Sequence, residues 1–220
     1  MSSILAVLFD CDGVIADSEE SWNAIDREHL QHYGIADYRG EYKSQVIGKS
    51  FALAGGFYRD FFGIETPLEA MIEQRTGVAA KFYGETIPTF EAVEDVLKAL
   101  RERGLKVALA TSSVGALIHP FLERHGIAGM FDFVVTGEQV EHGKPHPDIY
   151  LKAAAGVNTA PGQCLVVEDA LAGLQAGRSA GCRTVAIPDA RWLDPKEFAG
   201  KADFQIENLR ELLGIVDELR

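Results

Sequence analysis

Two carboxylates follow the first apolar run of the chain. Residues 4–9 (ILAVLF) lead directly into Asp10, and Asp12 and Gly13 come after one intervening residue. Unit charges about 4 Å apart interact by roughly 4 kcal/mol at an effective dielectric constant near 20. Two acids at the mouth of a buried strand therefore need a chemical reason to be there.

Three further apolar runs have polar endings. The second run leads into Thr111, Ser112 and Ser113, and the fourth ends on Glu168 and Asp169. Lys144 lies in the loop GKPHPD after the third run. If these endings meet, either some carboxyl groups are protonated or a cation lies among them. All candidate ligands are oxygens, which favours a hard cation, and Mg²⁺ is the natural choice. Magnesium in turn binds phosphate oxygens.

The first two acids can have different roles in phosphoryl transfer. Asp10, at the rigid end of the strand, is placed to attack phosphorus and form an aspartyl-phosphate. Asp12, on the turn beyond, can deliver a proton to the leaving oxygen and take one from water. Thr111 can donate to a phosphoryl oxygen, and Lys144 can neutralise both the nucleophile and the phosphate.

The elements that must bring these residues together are strands of a parallel sheet. The apolar runs are mostly continuous, which is typical of strands buried on both faces. Helical patterns at 90–103, 114–125, 147–155 and 170–180 separate them, so we predict a doubly wound, Rossmann-like α/β core. The five predicted strands are residues 4–9, 106–111, 131–136, 164–169 and 184–189. Ligands bind at the carboxyl ends of such strands.

One segment interrupts this alternation. Residues 16–86 contain no comparable strand and are predicted as helices at 19–33, 39–47, 51–62 and 67–83, with YGETIP (83–88) as a return linker. We therefore predict a catalytic core at 1–15 and 87–220 and an inserted, all-helical cap at 16–86.

Composition limits the classes of function. The chain has 220 residues and a net charge of −12, which disfavours nucleic acid and anionic membranes as partners. Its three cysteines are far apart, no apolar run reaches the roughly 20 residues of a membrane span, and residues 4–9 are too short for a signal-peptide core. We expect a cytoplasmic protein, a monomer or weak dimer, that acts on a small phosphorylated metabolite.

Four motifs resemble those of the haloacid dehalogenase superfamily, over essentially the full length of the chain. They are DCDGV (10–14), ATSS (110–113), GKPHPD (143–148) and VVEDA (166–170), in the family's order. The helical insertion directly after the first motif looks like the subgroup that contains β-phosphoglucomutase and small sugar-phosphate and phosphoglycolate phosphatases.

The resemblance implies a role for each motif residue. Asp10 would be the nucleophile and a Mg²⁺ ligand, and Asp12 would be the acid/base and would bind the metal through its backbone carbonyl. Thr111 would hold the phosphoryl group with Ser112 beside it, and Lys144 would stabilise its charge. The remaining metal ligands would be Asp169 and, directly or through water, Glu168. Lys49, in IGKS, is a further substrate-binding candidate from the cap.

Two other reactions and one non-catalytic role compete with hydrolysis. Dehalogenation is disfavoured because Asp12 is present. A β-phosphoglucomutase would resemble this chain but carries a cap histidine where Trp22 stands and an arginine where Phe51 stands; Arg75 and Lys49 could compensate. A non-catalytic binding protein would be expected to have lost part of the motif set. We therefore favour a phosphatase acting on a sugar or polyol phosphate.

Overall fold

A computed structural model describes residues 3–36, 45–46 and 51–220 of the chain. Its strands are β1 (Ala6–Phe9), β2 (Lys106–Ala110), β3 (Phe133–Val135), β4 (Cys164–Glu168), β5 (Arg183–Ala186) and β6 (Phe204–Gln205). Its α-helices are α1 (Glu19–His32), α2 (Phe51–Phe62), α3 (Leu68–Glu85), α4 (Val93–Glu102), α5 (Gly115–Arg124), α6 (Asp148–Gly156), α7 (Leu171–Ser179) and α8 (Leu212–Leu219).

The described strands form one parallel sheet with the order β3-β2-β1-β4-β5-β6. Successive residues of a strand point to opposite faces, so Val7 and Phe9 join one apolar cluster, with α4, α5 and α8, and Ala6 and Leu8 join the other, with α6 and α7. Both faces are thus covered by helices. This confirms the predicted doubly wound α/β core, and it explains why the strands read as continuous apolar runs.

The strand order places the polar strand endings side by side. The chain winds outward from β1 through β2 and β3, then returns to place β4 on the other side of β1, so the order reverses between β1 and β4. A crevice opens at such a reversal, at the carboxyl ends of the strands. Phe9 is in register with Val167, and the Asp10 N–H donates to the Val167 carbonyl at 3.0 Å. Asp10 and Glu168, the next residues on these two strands, therefore lie side by side at the carboxyl edge of the sheet.

The described part of the predicted insertion consists mainly of helices, as expected. Helices α1, α2 and α3 contribute to an apolar cluster of their own, which includes Leu30, Tyr58 and Met71. Two short stretches connect this segment to the core, and they pair with each other. The Asp17 N–H donates to the Pro88 carbonyl and the Phe90 N–H to the Ile15 carbonyl, each at 3.0 Å.

The structure differs from the predicted secondary structure at several element boundaries. Helix α3 continues to Glu85, so the first three residues of the predicted return linker (83–88) are helical. Strand β6 and helix α8 were not predicted, because two residues are too few for a pattern and the C-terminal segment lies beyond the last apolar run. The predicted helix 39–47 lies almost entirely outside the described residues. Among the helices that the structure describes, none is long and apolar enough to cross a membrane.

Candidate active site

Asp10, Lys144 and Glu168 form a buried ionic chain at the carboxyl edge of the sheet. The Lys144 Nζ donates to Asp10 Oδ1 at 2.7 Å, to Glu168 Oε1 at 2.6 Å and to the Ala110 carbonyl at 3.3 Å. Its three N–H groups thus have three acceptors. All three side chains are nearly or fully buried. Removing one member of such a buried ion pair leaves the other charge uncompensated, which is strongly destabilising. The three side chains are therefore held in this arrangement.

The acids of this edge fit a divalent cation. Asp10, Glu168 and Asp169 each offer a carboxylate oxygen, and these oxygens lie within 4.8 Å of one another. Among the residues that the structure describes, the three buried carboxyl groups face a single ammonium, that of Lys144. All donors are oxygens, as a hard cation requires. The site therefore has the charge surplus and the ligand type that the sequence predicts for a magnesium site.

The pKa values reflect the same surplus. Burial raises the pKa of Asp10 to about 7; the Lys144 ammonium opposes this rise, and the Glu168 and Asp12 carboxylates add to it. Burial also raises the pKa of Asp169 well above its usual range, and Glu168 and Asp10 contribute further. Burial thus favours the protonated forms of Asp10 and Asp169, and a bound cation would favour their ionised forms.

Glycine at position 13 is required by the close approach of Asp169. Gly13 has φ = +82°, and a Cβ built there would overlap the Asp169 carboxylate. Glycine meets both demands, since it adopts positive φ readily and has no side chain. The Asp-Gly pair after β1 is thus shaped by the acid that follows β4.

Tyr150 is a site residue that the sequence analysis did not identify. Its hydroxyl donates to Glu168 Oε1 at 2.5 Å, and Lys144 Nζ lies 5.3 Å from the centre of its ring. On the other side, Gly173 packs so closely that a Cβ there would overlap the Glu168 carboxylate. Oε2 accepts from the Ala170 N–H at 3.3 Å. Tyr150 lies six residues after Lys144. Its contact with Glu168 could not be predicted from the sequence, because it depends on how α6 packs on the sheet.

Asp12 is held by four side-chain donors. Oδ1 accepts from the Ser18 hydroxyl at 2.6 Å, from the Trp22 Nε1 at 3.3 Å and from the Tyr83 hydroxyl. Oδ2 accepts from the Ser113 hydroxyl at 2.7 Å. Three of these donors belong to the inserted segment and one to the core. The sequence analysis named Trp22 and Ser113 but did not assign either to Asp12, because nothing local connects them.

Thr111 lies at the same edge. It is fully buried, and its Oγ1 accepts from the Ser113 N–H at 3.0 Å, so the hydroxyl hydrogen can serve another acceptor. Ser112 is half-buried beside it. The structure therefore brings Asp10, Asp12, Lys144, Glu168, Asp169 and Thr111 to one edge, as the motifs predict. Lys49 lies outside the described residues.

Arg75, a cap residue considered for a phosphate contact, has other partners. The Arg75 guanidinium donates to Asp26 Oδ1 through Nε at 2.9 Å and through Nη2 at 2.7 Å, and both side chains are buried. It also lies 4.7 Å from the centre of the Trp22 ring. Tyr58 donates to the other Asp26 oxygen at 2.7 Å. Arg75 thus belongs to the internal framework of the cap.

Comparison with known proteins agrees with this architecture. The model of the haloacid dehalogenase-like hydrolase family matches residues 7–187. Hexitol phosphatase B of Escherichia coli K12 is 26% identical over 210 residues, which cover 95% of this chain and 94% of that protein. Pyrophosphatase PpaX of Bacillus pumilus is 26% identical over 216 residues, which cover 98% and 97%.

The similarity extends to solved structures. The crystal structure of CbbY from Rhodobacter sphaeroides in complex with phosphate has a TM-score of 0.82 and 25% identity, and the match covers 95% of this chain and 96% of that one. The family model, the relatives and the fold all converge on the same core. The chain therefore belongs to the haloacid dehalogenase-like hydrolase family and is a phosphoric monoester hydrolase of that family.

Proposed function

We propose that this protein is a Mg²⁺-dependent phosphatase that hydrolyses a small sugar or polyol phosphate through an aspartyl-phosphate on Asp10. The observation that carries the proposal is the buried trio of carboxylates around a single lysine, with Lys144 bridging Asp10 and Glu168. The name of one relative, hexitol phosphatase B, supports the polyol phosphate class. PpaX is named for a different substrate, so the choice between substrates needs an experiment.

In the first step, the Asp10 carboxylate attacks phosphorus and the bond from phosphorus to the ester oxygen breaks. Lys144 orients this carboxylate through Oδ1 and opposes its charge. Thr111 donates its hydroxyl hydrogen to a phosphoryl oxygen. Asp12, in its protonated form, transfers its proton to the departing alkoxide, which leaves as the alcohol.

In the second step, water attacks the phosphorus of the aspartyl-phosphate, and Asp12 takes the proton from that water. The products are inorganic phosphate and the regenerated Asp10 carboxylate. The four donors around Asp12 orient its carboxylate from two sides, from the inserted segment and from the core. Microscopic steps of this kind split one difficult hydrolysis into two displacements.

The metal would be held by the carboxylates of Asp10, Glu168 and Asp169 and by the backbone carbonyl of Asp12. When bound, Mg²⁺ supplies positive charge that offsets the phosphoryl group and the buried acids. The cap, which we assign to residues 16–86, would exclude bulk water and select the alcohol.

The mutase alternative is disfavoured by the contacts of two cap residues. Trp22, which stands where the mutase has a histidine, donates to Asp12 through an indole N–H, a group that does not exchange protons in catalysis. Arg75 is committed to Asp26 in a buried ion pair, in which two of its nitrogens contact Oδ1. A second phosphate would have to displace that pair. The intact motif set speaks against a non-catalytic binding protein.

The experiment is phosphate release from a panel of phosphorylated metabolites, with Mg²⁺ and with EDTA, alongside isomerisation of β-glucose 1-phosphate. We expect metal-dependent release from a narrow set of sugar or polyol phosphates and none from Asp10→Asn. Isomerisation without net release would favour the mutase. Absence of both activities, with the protein folded and loaded with Mg²⁺, would favour a non-catalytic binding protein.

A further inference from the structure

An arginine from the core grips the junction between the core and the cap. Residues 15–17 and 88–90, which we call the first and second linkers, pair side by side, with Ala16 bridged to Thr89. Arg191 lies in the loop after β5 and reaches both linkers. No motif of the family resemblance includes it, and the mechanism does not use it.

The contacts of Arg191 are numerous and well directed. Its Nη2 donates to Asp17 Oδ1 at 2.7 Å and its Nη1 to Asp17 Oδ2 at 3.1 Å, a bidentate pair with the first linker. Its Nε and Nη2 donate to Asp189 Oδ2 at 2.9 and 2.5 Å, which anchors it to its own loop. The guanidinium also lies 5.6 Å from the centre of the Phe90 ring, on the second linker. One side chain thus connects both linkers to the core.

Charge, rather than close packing, holds this contact. The Arg191 side chain is 52% exposed. A cavity of about 700 Å³ opens beside it, and Asp17, Phe90, Asp189 and Arg191 all lie on its wall. Removal of the guanidinium would therefore leave no void in a packed core. Its effect would fall on the two linkers and on Asp189 in the loop that carries it.

The first linker leads directly to the proposed acid/base. Ser18 follows Asp17 and is fully buried, and its hydroxyl donates to Asp12 at 2.6 Å. Trp22, one turn into α1, donates to the same oxygen. A shift of the first linker would therefore move two of the four donors around Asp12. The position of Arg191 is thus transmitted to the catalytic edge through the backbone of residues 17 and 18.

We propose that Arg191 is a positioning residue that fastens both linkers to the core and so sets the placement of the cap over Asp12. The catalytic consequence rests on the proposed function; the effect on the linkers does not. The proposal predicts two separable effects of Arg191→Gln, one on the linker amides and one on turnover.

The first measurement is hydrogen exchange at the amides of Asp17 and Phe90, which make the bonds between the two linkers. In Arg191→Gln we expect exchange at these two amides to accelerate by about twofold to fivefold, as for loss of an exposed ion pair. The matched control is Arg103→Gln. Arg103 makes a bidentate pair with Asp217 at 2.9 and 3.0 Å, between α4 and α8 and away from both linkers. We expect no change at Asp17 and Phe90 in this control.

The second measurement is kcat/KM for the best substrate at low and high salt. We expect Arg191→Gln to lower kcat/KM by a factor similar to the loss of protection, with the Mg²⁺ half-saturation unchanged. The ratio of wild type to Arg191→Gln should approach one in 1 M KCl, because exposed ion pairs are screened. Arg191→Lys, which keeps the charge but not the bidentate fork, should be intermediate.

Each outcome decides the proposal. Faster exchange at both linker amides together with lower kcat/KM supports it. Unchanged exchange in Arg191→Gln overturns it, and so does faster exchange with unchanged kcat/KM, because the linker contact would then have no catalytic effect. If no variant, wild type included, hydrolyses any phosphate ester, the proposed function fails. The exchange experiment still decides whether Arg191 fastens the linkers.

Discussion

Gly173→Ala provides a sharp test of the site, because one methyl group would displace the Glu168 carboxylate. Gly173 lies in the first turn of α7, and a Cβ there would overlap Oε1, Oε2 and Cδ of Glu168. The carboxylate is also held by Lys144 and Tyr150 and is fully buried. It cannot retreat into water, so the methyl group must either break these hydrogen bonds or push the helix away from the sheet.

The magnitude follows from two opposing contributions. Breaking one side of a buried ion pair costs about 3–5 kcal/mol, and alanine is about 1 kcal/mol better than glycine in a helix, so we expect a net loss of about 2–4 kcal/mol. In a chain of this size, that lowers the melting temperature by roughly 5–15 °C. A displacement on the order of 1 Å at the site reduces turnover by about 10²-fold.

The assay combines thermal denaturation with Mg²⁺-dependent hydrolysis of a generic aryl phosphate. Gly214→Ala is the matched control, because Gly214 is also helical and a Cβ there meets no atom within 4 Å. We expect this control to be as stable as wild type or more so, and fully active. A Gly173→Ala protein with activity within about twofold of wild type and an unchanged Mg²⁺ requirement would refute the reasoning. Displacement of Glu168 should lower turnover by about 10²-fold.

Three further predictions follow from the site and the cap. Asp10→Asn should abolish turnover and leave the fold intact; near-wild-type activity would remove Asp10 as nucleophile. Asp12→Ala should slow both chemical steps yet retain Mg²⁺ binding by calorimetry, since its metal contact would be backbone; loss of metal binding would contradict this. His29 is buried with Nδ1 against Gln74, and Nε2 has no hydrogen-bond partner among the described residues. Burial lowers the pKa of His29, so the unfolded chain binds the proton more tightly. The contribution to stability is complete above about pH 6.5 and is lost as the pH falls through the folded pKa. Melting temperatures of wild type and His29→Gln from pH 7.5 to 5 should therefore show a steeper acid loss in wild type, and parallel curves would exclude His29 as the cause.

The catalytic motifs were readable in the sequence because each lies at the end of a strand. A strand buried on both faces is a continuous apolar run, and the first polar residue after it marks the edge of the sheet. Asp10, Thr111 and Glu168 each stand at such a point, and Lys144 lies in the loop after the third strand. Parallel strands share one carboxyl edge, so these endings converge whatever the details of packing. The oxygen-only ligand set favours magnesium by its chemistry alone.

The residues that only the tertiary structure revealed act across long separations in the chain. Tyr83 reaches Asp12 across 71 residues and Ser113 across 101, and Arg191 reaches Asp17 across 174. No local pattern encodes such contacts, because a tyrosine at the end of an amphipathic helix looks like any other core residue. Two-residue strand β6 was missed for a related reason: its pairing with β5, not its own sequence, makes it a strand.

The sequence by itself therefore determined the α/β core, its helical insertion and the six motif residues at the catalytic edge, because these depend on local periodicity and on the shared direction of parallel strands. Only the tertiary structure decided which side chains hold those six in place. The four donors around Asp12, the hydroxyl of Tyr150 on Glu168 and the grip of Arg191 on both linkers depend on how helices pack on the sheet. That packing is set by side chains far apart in the chain, so no single stretch of sequence specifies it.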